Sequence, residues 1–118
     1  ILDWPATLDN VRALEAEAVV PGRGPAVRGE AVGQALAETQ AYLTILRDTV
    51  REAVERDTDV ATAYHAAEAA LTPRFGDWAI FKHCLPFNVQ RMYDDVAGVR
   101  PRIWTESRDA ALWQALVS

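Results

Sequence analysis

The stretch EAVGQALAETQAYLTILRDTVREAVER, Glu30 to Arg56, decides the fold. Val32, Leu36, Thr39, Leu43, Leu46, Val50 and Ala53 follow one another in steps of four and three, which draws one apolar seam down a single helical face. At 1.5 Å per residue such a helix spans about 40 Å. A strict seam of this period also suits a coiled coil, but Thr39 and Ala53 weaken it, and Ile45 and Val54 widen the apolar face. The reading is a helix packed on several neighbours in its own chain.

Outward from this helix the chain keeps a helical character. Leu8, Val11 and Leu14 fall at helical spacing between Pro5 and Glu17, with Pro5 acceptable in a first turn. Ala18 to Val20 is a brief apolar run, ended by Pro21-Gly22, that reads as one short strand. A strand needs a partner, so either Ala18 to Val20 is irregular or its sheet lies outside these residues, and the second is expected. On the other side, Thr58 or Asp59 caps a helix carrying Val60, Tyr64, Ala67 and Leu71, which Pro73 is expected to stop. Trp78 to Cys84 reads as helical, and Pro86 is expected to end or kink that helix, or to start a new one running to Gly98. Thr105 then caps a last helix with Glu106 and Asp109 in its first turn. The expected fold class is mainly α with at most one short strand.

Bulk composition narrows the function. The 118 residues are half hydrophobic and one quarter charged, the balance of a single globular domain. Seventeen acidic against twelve basic residues leave a charge of −5, which disfavours nucleic acid and anionic membranes as partners. No apolar run approaches the length of a membrane span, and no export signal opens the sequence. One cysteine, Cys84, excludes an intrachain disulfide and fits a cytoplasmic setting. The chain begins at Ile1 without Met, as expected of a piece of a longer protein.

Few residues offer chemistry. Arg23 stands at the centre of Pro21-Gly22-Arg23-Gly24-Pro25, where its guanidinium has only donors and no lone pair for a metal. It can point to solvent, pair with a nearby carboxylate, or bind an anionic substrate group. His65 lies among alanines, with Glu68 three residues on, and reads as a partly exposed helical histidine. His83 and Cys84 are adjacent, about 100° apart on a helix, so a shared metal or a catalytic dyad is disfavoured and Cys84 reads as structural. Asn88 follows Pro86-Phe87, where it can cap a helix start or line a substrate groove. Asp94 and Asp95 diverge on a helix, which argues against an acid/base pair. Most of the aromatic residues are expected in the core. No catalytic and no metal-ligating residue is assigned.

The order of these pieces resembles the C-terminal part of metallo-β-lactamase-fold hydrolases, in the hydroxyacylglutathione hydrolase-like branch. The resemblance rests on Asp3-Trp4 through Leu8 and Leu14, on Val19-Val20-Pro21-Gly22-Arg23-Gly24-Pro25, and on the long helix. It continues through His83-Cys84-Leu85-Pro86-Phe87-Asn88-Val89 with Tyr93-Asp94, and through Pro101-Arg102-Ile103-Trp104-Thr105. It implies that residues 1–25 close an αββα layer and 26–118 form its helical C-terminal region, treated as one domain. The family places a His ligand where this chain has Arg23, and its His-x-His-x-Asp-His loop is not in these residues. The resemblance therefore implies a segment inactive alone, with no cofactor of its own. The parent would be a zinc-type, metal-dependent hydrolase of esters or thioesters, and this region would shape the small-molecule pocket through Arg23 and Asn88. The alternative is a non-catalytic α-helical protein-interaction domain. A homodimer is expected, since a helical tail apart from its sheet exposes apolar surface.

Overall fold

The long apolar seam forms one uninterrupted helix, and the rest of the chain is organised on either side of it. In the computed structural model, which describes residues 1–117, the order is α1 (Trp4–Arg12), β1 (Ala18–Val19), β2 (Val27–Arg28), α2 (Glu30–Glu55), α3 (Val60–Phe75), α4 (Phe81–Val96) and α5 (Glu106–Val117). The protein is mainly helical, with a single two-stranded ribbon among the described residues. Val32, Leu36, Leu43, Leu46, Val50 and Ala53 of the seam are buried, and Tyr42 joins them. The chain divides into two compact units, Asp3–Thr44 and Ile45 onward with Ile1–Leu2, the division falling within α2.

The first unit holds α1, the ribbon and the start of α2. Here α1 stops at Arg12 rather than Glu17, because Glu15 adopts a left-handed backbone (φ 49°) and Leu14 is left 74% exposed. Gln40 fastens α1 to α2: its Nε2 donates to Pro5 O at 3.1 Å and to Asp9 Oδ1 at 3.0 Å, while Arg12 Nη2 donates to its Oε1 at 3.0 Å. All polar groups of one amide are thereby used.

The strand finds its partner inside the chain, which corrects the expectation of a sheet elsewhere. β1 and β2 pair antiparallel, Ala18 opposite Arg28 and Val19 opposite Val27. The intervening loop can return because Gly24 takes φ 98°, which glycine alone adopts freely. Gly29 N then donates to Glu17 O at 2.9 Å and closes the ribbon's base.

The second unit is a helical core. α3 packs most extensively on α4, and α5 rests on α4 and more lightly on α3. Leu46, Val50, Leu71, Phe75, Leu85, Pro86, Val89 and Met92 are its most deeply buried side chains. α3 starts as the sequence indicates, with Asp59 Oδ1 accepting from Thr62 N at 2.9 Å. Tyr93 Oη donates to Thr58 O at 2.6 Å and ties α4 to the turn before α3.

Pro73 corrects the expected stop, and Pro86 corrects the readings in which it ends one helix or starts another. Pro73 lies inside α3, which continues to Phe75, and Pro86 lies inside α4, which runs unbroken from Phe81 to Val96. Each ring removes one helical N–H. Pro73 does so near the end of α3, where the carbonyl it leaves belongs to exposed Ala69. Pro86 does so at the sixth residue, where the carbonyl it leaves belongs to exposed Lys82 and its own ring is fully buried. Burial of apolar area opposes the lost hydrogen bond. Trp78 to Ile80 form turns before α4 rather than its first residues.

Candidate functional site

The PGRGP loop projects from the two-residue ribbon, and every residue from Val20 to Ala26 is exposed. Arg23 at its centre makes no hydrogen bond or ion pair among the described residues. Pairing with a carboxylate of the chain is therefore not its role in this fold. Asn88 sits in the second turn of α4, half-buried and engaged with the protein, not at a helix start. This corrects its expected capping position and follows from the continuity of α4 through Pro86. Arg23 and Asn88 belong to different compact units.

Sequence reasoning missed a more developed surface in the second unit. His83 and Phe87 stand one turn apart on α4, their rings 5.8 Å between centroids. Trp113 of α5 approaches the His83 ring at 5.9 Å, and Trp104 meets Phe87 edge-on at 5.4 Å. Arg108 lies over the Trp104 ring at 4.2 Å, donates from Nη1 to Arg102 O at 2.8 Å, and reaches Asp94 Oδ2 at 3.5 Å. Trp104 and Trp113 each remain 37% exposed, so the cluster presents aromatic faces to solvent. The four-residue spacing of His83 and Phe87 was readable in sequence. The tryptophans come from a loop and a separate helix, and only tertiary packing brings them there.

Beside this cluster a groove of about 320 Å³ is lined by Trp78, Ile80, Phe81, Lys82 and His83 together with Gly76 and Ala79. Gly76 is required by close approach, because a Cβ there would lie 2.7 Å from Thr72 O. Cys84, next to His83, is a free, half-buried thiol.

The remaining candidates are separated from this surface or already satisfied. His65 is exposed, with Nδ1 3.9 Å from Glu68 Oε2 and its ring edge-on to Tyr64. Tyr64 is buried, and desolvation together with the Glu68 carboxylate raises its pKa above 10.0. Asp94 accepts from Gln90 Nε2 at 2.8 Å. Asp95 Oδ1 lies 3.0 Å from Arg91 Nε, whose N–H is not aimed at it, so that contact is coulombic. No group of three or more His, Cys, Asp or Glu side chains among the described residues is arranged to hold a metal ion. No described helix is long and apolar enough to cross a membrane.

No protein-family profile matches the chain, and no curated protein is similar to it.

Proposed function

We propose that this chain is the helical, substrate-recognising region of a cytoplasmic metal-dependent hydrolase of the metallo-β-lactamase fold, acting on an ester or thioester that carries an anionic group. The observation supporting this reading is Arg23, an exposed cation without a partner among the described residues, held on the glycine-proline loop between β1 and β2. A guanidinium there offers a fork of donors to a carboxylate or phosphate of the substrate. In this reading the zinc or other divalent metal and the groups that activate water belong to residues outside these 118. The chain's own part is binding and orientation.

The test uses the full-length protein. Arg23→Ala should raise KM for an anionic ester by about tenfold or more, the loss of a charge-assisted hydrogen bond, and leave an uncharged ester unaffected. Arg23→His should raise the bound metal measured by elemental analysis. Unchanged KM and metal content in both variants would leave Arg23 a solvent-exposed loop residue and end the proposal.

A second reading, a non-catalytic interaction domain, is favoured by the half-exposed Trp104 and Trp113. A full-length protein without any hydrolase activity but with a saturable protein partner would select it.

A further inference from the structure

From Val99 to Thr105 the chain runs without helix or strand between α4 and α5, and every one of these residues is exposed. Pro101 fixes its own φ and biases Arg100 away from helical backbone. Gly98, at φ 68°, ends α4, and Val99 N donates to Asp94 O at 2.8 Å. The other end is anchored by the Trp104–Phe87 contact and by Arg108, whose Nη1 holds Arg102 O. The segment is thus fixed in place by neighbours while much of its backbone is unused. The N–H groups of Arg100, Arg102, Ile103 and Trp104 donate to nothing among the described residues. Ile103 is 87% exposed.

The charge pattern selects the partner. Arg100 and Arg102 make no ion pair among the described residues, and the segment contains no acid, although the chain as a whole carries −5. We infer that Val99–Thr105 is a docking strip for an acidic, extended peptide segment of another protein. Its carboxylates would meet Arg100 and Arg102, its backbone carbonyls would accept from the free N–H groups, and an apolar side chain would cover Ile103. Symmetric pairing with a second copy would set arginines against arginines. Two unpaired cations on an acidic chain are also too few for nucleic acid: neutralising two phosphates gives a salt slope of only about −1.8. The inference is independent of any hydrolase activity.

The experiment is fluorescence anisotropy of the whole chain with a labelled heptapeptide of alternating valine and glutamate. Saturable binding is expected, weakened by about tenfold in the double variant R100E/R102E and weakened further when thioamides, poorer acceptors, replace the peptide's backbone carbonyls. A lysine-for-glutamate peptide should bind R100E/R102E and not the parent chain. Circular dichroism of the variant should match the parent, since both arginines are exposed. Failure of the acidic peptide to bind, or equal binding by the variant, overturns the inference. So does tighter arginine-dependent binding to a single-stranded oligonucleotide or to phosphatidylserine vesicles, or self-association that the double variant abolishes.

Discussion

The guanidinium of Arg108 lies 4.2 Å from the centre of the Trp104 ring while reaching back to Asp94 Oδ2 at 3.5 Å. One side chain therefore joins α5, the preceding loop and α4. Arg108→Ala removes the stacking and the bond to Arg102 O together. A stability loss of about 1–2 kcal/mol is expected from these contacts, read by urea denaturation, with a red shift of tryptophan emission. Arg108→Lys should recover little, because an ammonium cannot stack and donate as a planar fork. Full recovery by lysine would mean that charge alone matters.

Tyr93 should behave as a structural tie. Tyr93→Phe keeps the ring but leaves Thr58 O without its donor at 2.6 Å. A loss of about 1 kcal/mol is expected. Hydrogen exchange should rise locally around the turn before α3, and no change there would show that water replaces the hydroxyl without cost.

Gly76 tests close packing at the start of the groove. Its missing Cβ would sit 2.7 Å from a backbone oxygen, which cannot move aside as a side chain can. Gly76→Ala should destabilise by about 1–3 kcal/mol, although the right-handed backbone at Gly76 (φ −59°) is one that alanine adopts freely. A neutral or higher melting temperature would contradict the geometry.

Acid stability should report the α3 cap. Hydrogen bonds from Thr62 hold the Asp59 carboxylate below its ordinary value of 3.8. A lowered folded pKa contributes stability above the unfolded value, and that contribution is lost as pH falls through the folded one. Asp59→Asn keeps an acceptor but does not titrate, so its stability should fall less steeply below pH 3.8. Parallel acid profiles for the two proteins would remove Asp59 from the account.

The parts of this fold that were legible in sequence are those set by local periodicity and capping. The seam from Val32 to Ala53 and the caps at Asp59 and Thr105 depend on neighbours within a few residues. Pro73 was misread as a stop, and Pro86 as a possible helix end or start, because the carbonyls they leave belong to exposed Ala69 and Lys82 and the Pro86 ring is itself buried. The pairing of Val19 with Val27 depended on the loop between them, and two residue pairs leave almost no alternating pattern to detect. At the candidate site, Arg23 was conspicuous because its glycine and proline neighbours are. The Phe87–Trp104 contact was not, since sixteen residues and a helix end lie between its partners.

Pro86 has a dynamic consequence. A helix transmits protection from exchange through successive amide bonds, and α4 has no amide proton at its sixth position. The Lys82 carbonyl therefore has no helical donor on the exposed side of the first turn of α4, while Phe81 and Leu85 on its other side stay in the core with Val89 and Met92. Lys82 and His83, which line the groove, ride on that turn. The groove's wall thus lies on a turn of α4 that lacks one backbone bond, and amide exchange should be faster at Lys82 and His83 than at Val89 and Met92.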